Sequence, residues 1–159
     1  MKTLLKSIVL ALSLQLFAWQ AQAADAAPPK AKPEEAVAMV NKAAAYLKKF
    51  GKEKAFAEFN NPNGQFIDRD LYIYAFFTNG DGIERANGAN ARLVGKDVSQ
   101  MQDADGQYLI KNILAVAGSK TGEAWLEYKW VNPVTHVIDR KKAFVKKVDD
   151  VLLGCGVYE

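Results

Sequence analysis

Asp68 and Asp70 bracket Arg69 in the stretch FIDRD, residues 66–70. Two carboxylates set across a cleft can divide general-acid and general-base work, as in glycoside hydrolysis. Two that flank an arginine suit ion pairing where a strand begins. A second acidic group, DADG at Asp103–Gly106, offers oxygen ligands but lacks the closing glutamate of a calcium loop. Asp and Gly are also ordinary turn and helix-cap residues. His136 is the sole histidine, sits in a turn-like NPVTH, and has no partners at metal-ligand spacing. Past residue 23 the serines are Ser99 and Ser119, and neither lies in a Gly-x-Ser-x-Gly elbow. Phosphate-binding and dinucleotide-binding glycine patterns are missing as well. No catalytic constellation emerges, so the chain reads as a non-enzyme with no metal or cofactor site.

The aromatic residues carry more information. Side chains alternate along a strand, so Tyr72, Tyr74 and Phe76 share one face. In EAWLEYKWVNP, Trp125 lies on one face of a strand while Tyr128 and Trp130 lie on the other. A core needs apolar volume but no phenol hydroxyls. Buried Tyr and Trp need partners for their O–H and N–H groups, and rings with a few fixed polar groups are how small ligands are held. Core packing and pocket lining are both open readings for Tyr72, Tyr74, Tyr128 and Trp130.

The elements that must position these residues follow from local pattern. The chain has 159 residues, which fits one domain. Residues 1–23 have two lysines, an apolar run from Ile8 to Trp19 and an Ala21-Gln22-Ala23 end, the layout of a cleaved secretory signal peptide. The expected location is periplasmic or secreted, with no membrane span after cleavage. Residues 24–33 read as a Pro/Ala-rich tether, and 34–159 as one domain. Lys and Arg total 21 against 18 Asp and Glu, and two of the lysines lie in the leader, so nothing points to nucleic acid. Cys155 is the one cysteine, excludes an internal disulfide, and reads as a buried thiol.

Pro33, Glu34 and Glu35 suit a helix start, and Gly51 suits its stop. Val37, Val40, Ala44 and Leu47 between them keep helical period, predicting a helix over 34–50 and a shorter one over 52–59. A strand is predicted over Leu71–Phe77 and another over 82–87, joined by the Asn-Gly and Asp-Gly signals of TNGDG. A helix over 106–117 and strands over 123–131, 136–148 and 150–158 complete the chain. Tight turns between strands and a non-alternating order predict an α+β fold with an antiparallel five-stranded sheet.

Four segments in order, GKEKAFAEFNNPNGQFIDRDLYIYAF, ARLVGKDVSQMQDADGQYLIKNILAVA, AWLEYKWVNPVT and KKAFVKKVDDVLLGCGVY, make the chain similar to the type 2 single Cache domains. These are extracytoplasmic sensors of chemoreceptors and histidine kinases, also found as free secreted proteins. The resemblance implies a PAS-like fold, with a long N-terminal helix on a five-stranded sheet. It also implies a pocket on the sheet for a small organic ligand, commonly a carboxylate. In the family the second strand often ends in Ala-His-Pro; here Ala86, Asn87 and Gly88 stand there, and Asn87 is neutral at every pH. The family's Lys-x-x-Tyr-Val appears as Lys141 to Val145, with Phe144 replacing the tyrosine, which leaves Lys141 as the cation for an anionic group. Tyr72, Tyr74, Asn87, Tyr128, Trp130 and Lys141 are the expected ligand-binding residues. The chain shows no kinase or methyl-accepting region, so a membrane receptor or histidine kinase is the expected partner. The alternative is an interaction module with a closed pocket, docking on such a receptor or kinase through the helix at 34–50 or a sheet edge.

Overall fold

A computed structural model of the chain describes residues 29–159; the expected leader and residues 24–28 of the tether lie outside the described residues. The long helix α1 spans Pro33–Phe59. Pro33 occupies its first position, where a missing N–H costs nothing, and the Glu35 carboxylate accepts the Lys32 backbone N–H at 2.7 Å. At Gly51 the backbone turns to φ 77° and ψ 169°, which splits α1 into the two expected helical segments. That region is accessible essentially to glycine alone.

Seven strands follow: β1 (Ile67–Asp68), β2 (Leu71–Tyr72), β3 (Tyr74–Phe77), β4 (Glu84–Asn87), β5 (Glu123–Val131), β6 (Ile138–Val148) and β7 (Val151–Tyr158). Helix α2 (Leu109–Ala115) runs into a 3-10 turn, Val116–Gly118, between β4 and β5. The main sheet is antiparallel, in the order β4-β3-β7-β6-β5, and β1 pairs with β2 as a separate hairpin. The fold is therefore α+β, with the long helix laid across β6 and β7.

Period-2 alternation divides the sheet into two cores. Ile73, Ala75, Phe144, Leu153, Cys155 and Val157 face α1 and meet Val40, Ala43, Leu47 and Phe59. Full burial of a side chain such as Phe59 or Leu153 stabilises by about 1.5–3 kcal/mol. Cys155 belongs to this layer, and burial pushes its thiol up to about 12, so it is inert in the folded chain. The opposite face carries Tyr72, Tyr74, Phe76, Tyr128, Val145 and Tyr158 under Leu109, Ile110 and Ile113 of α2.

Two expectations change. The single strand over Leu71–Phe77 breaks at Ile73, where the chain exchanges one neighbour for another. Before it, Tyr72 pairs with Ile67; after it, Tyr74 pairs with Gly154. Strand propensity does not reveal which neighbour supplies the ladder, and β1 went unpredicted for the same reason. The helix expected from residue 106 begins at Leu109. The Asp103 carboxylate draws residues 103–107 into a turn instead. It accepts N–H bonds from Asp105 and Gln107, both at 2.9 Å, and from Lys129 of β5 at 3.1 Å. Those bonds hold its pKa below the usual carboxylate range despite the cost of burial. Asp103 thus serves as a turn residue that pins the loop to the sheet.

Candidate functional site

On the sheet face away from α1, four strands, β2 to β5, and helix α2 converge on a narrow cavity. Tyr72, Tyr74, Phe76, Glu84, Asn87, Tyr128 and Trp130 form its strand wall, and Met101, Leu109, Ile110 and Ile113 form its lid. About 20 Å³ of it is open to water-sized occupants, enough for roughly one water. Five of the six expected residues line this cavity together.

Lys141 does not. It is fully buried behind the tyrosine wall, with Nζ 3.8 Å from the ring centroid of Tyr72, 4.8 Å from Tyr158 and 5.8 Å from Tyr74. It donates to Tyr158 Oη at 3.3 Å, and among the described residues no carboxylate lies within ion-pairing distance of it. Ring faces attract the ammonium, but its positive charge is not neutralised by contact.

The phenols form two hydroxyl pairs. Tyr128 donates to Tyr74 at 3.4 Å, and Tyr72 and Tyr158 approach at 3.3 Å. Tyr158 in turn donates to the Val131 carbonyl at 2.9 Å, so its oxygen is the acceptor for Tyr72 and Lys141. Burial is the leading cause that raises the pKa values of Tyr74, Tyr128 and Tyr158 well above the ordinary phenol value. They remain neutral hydrogen-bonding groups at any physiological pH.

Glu84 and Asn87 share the cavity face through a β-bulge. Ala75 pairs with Ala86 but Phe76 pairs with Glu84, which leaves Arg85 as the extra residue. Without that residue, positions three apart on β4 would face opposite sides. Asn87 is fixed at both ends of its amide. Its Oδ1 accepts N–H bonds from Ala89 at 3.1 Å and Asn90 at 2.8 Å, while Nδ2 donates to Glu84 Oε1 at 2.8 Å. Burial pushes the Glu84 carboxyl from an ordinary 4.5 up to about 7, against the opposing pull of the Asn87 bond and the Lys141 charge.

Gly154 completes the wall from below. Tyr74 lies flat on the β7 backbone there, and any side chain at 154 would meet the ring. Glu84, Tyr158, Gly154 and the α2 lid were not anticipated from sequence. Gly154, Gly156 and Tyr158 alternate on one face of GCGVY, a legible signal for rings packed on a bare strand. Glu84 carried no such mark, because its direction depends on the bulge.

Beyond Tyr72 and Trp130 lies an outer cleft of about 270 Å³, bordered also by Asn90, Pro133 and His136. These two rings stand between the cleft and the inner cavity. His136 is an exposed turn residue with φ 59°. Asp68 and Asp70 do not share a cleft. Asp68 is exposed and paired with Arg69 at 2.7 Å, and Arg69 also binds Glu35 at 2.7 Å, tying the β1–β2 hairpin to the start of α1. Asp70 is buried. Among the described residues no three His, Cys, Asp or Glu side chains are grouped to hold a metal, and no helix is long and apolar enough to cross a membrane.

The sequence model of the family described as single Cache domain 2 matches residues 33–159. The chain belongs to this family. The Cache domain is a sensory module, and solved structures share its architecture. A methyl-accepting chemotaxis protein from Vibrio parahaemolyticus superposes with a TM-score of 0.65 at 21% identity, covering 79% of this chain and 86% of that one. A Cache chemosensory domain solved for carboxylic acid recognition gives 0.67 at 21% identity, over 79% and 91%. The periplasmic sensor domain of a chemotaxis protein gives 0.58, again at 21%, over 79% and 88%. At such identities the likeness is one of fold. Among curated proteins none matches the sequence.

Proposed function

We propose that this Cache domain is a periplasmic sensor that binds a small organic acid in the cavity between the sheet and α2, and that it does no catalysis. One observation carries the reading: four buried phenols, Glu84 and Asn87 are gathered on the sheet face opposite the apolar α2 lid. A face meant for packing alone would be apolar, because each buried polar group must find a partner. Tyr74, Tyr128 and Asn87 supply hydrogen bonds to a ligand, and Lys141 behind Tyr72 supplies positive charge. The outer cleft is the route in, with Tyr72 and Trp130 swinging aside. A membrane receptor or histidine kinase is the partner that would register occupancy.

Thermal-shift measurement on the leader-free protein against two- to four-carbon organic acids tests this. A ligand at a hundred times its Kd adds about 2.7 kcal/mol to stability and raises Tm by several degrees. If no acid in a broad panel, amino acids included, moves Tm, the small-ligand reading fails. The small size of the cavity then favours the second reading, an interaction module whose pocket is filled by its own side chains.

A further inference from the structure

Glu84 is an acid in a place where a site for a bare carboxylate has no use for one. It is buried on the edge strand β4 and lines the inner cavity. The bulge that aims it inward sends its neighbour Arg85 the other way, where the guanidinium sits 4.3 Å over the Phe77 ring and pairs with Asp81. The adjacent cation is thereby withheld from it. Around the cavity, β3 presents Tyr74 and Phe76, β4 presents Asn87, β5 presents Tyr128 and Trp130, and α2 presents Leu109, Ile110 and Ile113. The Lys141 charge reaches Glu84 from β6, across the rings. Asn87 occupies Oε1, and among the described residues Oε2 makes no hydrogen bond. Once Glu84 ionises, above about pH 7, a bare carboxylate entering the cavity meets like charge at this end, and an uncompensated carboxylate is costly to keep out of water. An ammonium group resolves both problems, because it neutralises Glu84 and donates to its open oxygen.

We propose that Glu84, held by Asn87, selects small organic acids that also carry an ammonium group, with the ligand carboxylate on the Tyr72–Lys141 side and the ammonium at Glu84. This rests on the cavity being the ligand site, as proposed above. It narrows the ligand class from organic acids to amino-acid-type zwitterions.

The test is a set of matched pairs on the leader-free protein: acetate with glycine, propionate with alanine and β-alanine, butyrate with γ-aminobutyrate. Affinity is read by calorimetry and Tm shift. In at least one pair the aminated member binds about tenfold or more tightly than its partner, the size of one hydrogen bond to a charged group. Glu84→Gln keeps the shape and the Asn87 contact and brings that ratio close to one. An independent reading needs no variant. Binding of the aminated ligand to the wild-type protein strengthens as pH rises through about 7, as Glu84 ionises; binding of a bare acid weakens over the same range. If the unaminated acids bind as well or better, or if Glu84→Gln leaves the ratio unchanged, the inference is overturned while the organic-acid reading stands. If neither class binds, both fall.

Discussion

Replacing Gly154 with alanine places a methyl carbon 2.1 Å from Cζ of Tyr74 and 2.4 Å from both Cε2 and Oη. Unstrained carbon contacts sit at about 3.5–4.0 Å, so the ring must retreat by more than an ångström. Retreat is blocked. Tyr74 is buried, its ring packs edge-on against Phe76 with centroids 6.3 Å apart, and its hydroxyl is bonded to Tyr128. Overpacking of this kind costs about 1–3 kcal/mol. Removing a glycine from a strand interior returns about 0.5–1 kcal/mol. Gly154→Ala should therefore destabilise by about 1–2 kcal/mol net, a fall in Tm of roughly 4–8 °C. Urea titration followed by circular dichroism measures it. The decisive version is a double-mutant cycle with Tyr74→Leu, which lacks Cζ and Oη. In that background the alanine should cost nothing, giving a coupling energy of about 1 kcal/mol or more. An equal loss in both backgrounds would refute the claim that Gly154 exists to seat the Tyr74 ring.

Three further outcomes follow from the same geometry. Lys141→Met replaces a buried ammonium that has no ion-pair partner among the described residues with an apolar chain, and should raise stability by about 1–3 kcal/mol in urea titration while abolishing binding of acids. Glu84 keeps its proton to about pH 7 when folded but loses it near 4.5 when unfolded. Its stabilising effect is thus full below pH 4.5 and lost as pH rises to 7, a fall of up to about 3 kcal/mol that Glu84→Gln should lack when urea midpoints are compared across that range. Gly51→Ala meets no atom within 4 Å, yet φ of 77° forces strain; chemical denaturation should show a loss of about 1–3 kcal/mol from backbone conformation alone.

Much of the fold is legible in particular residues. Pro33 with Glu34 and Glu35 marks the start of α1, and Gly51 marks its kink, because both signals rest on the conformational limits of single residues. The three C-terminal strands match their expected spans to within two residues, since each is bounded by turn chemistry and is long enough to show its composition. The start of α2 was misplaced. Asp103 bonds to β5, a partner 26 positions away, and that bond determines how residues 103–107 turn.

The candidate site divides in the same way. That Tyr72, Tyr74 and Phe76 share a face, and that Tyr128 and Trp130 share another, follows from sequence alone, because alternation is built into the covalent geometry of an extended chain. That those faces oppose α2 and enclose one cavity required the strand order β4-β3-β7-β6-β5, which is set by long-range pairing. The bulge at Arg85 belongs to this second kind. It is a mismatch between two strands and has no counterpart in either one, yet it turns Glu84 into the cavity beside Asn87. Lys141 shows the limit from the other side. Its charge was visible in the sequence, but its place behind Tyr72 depends on which rings the neighbouring strands stack over it.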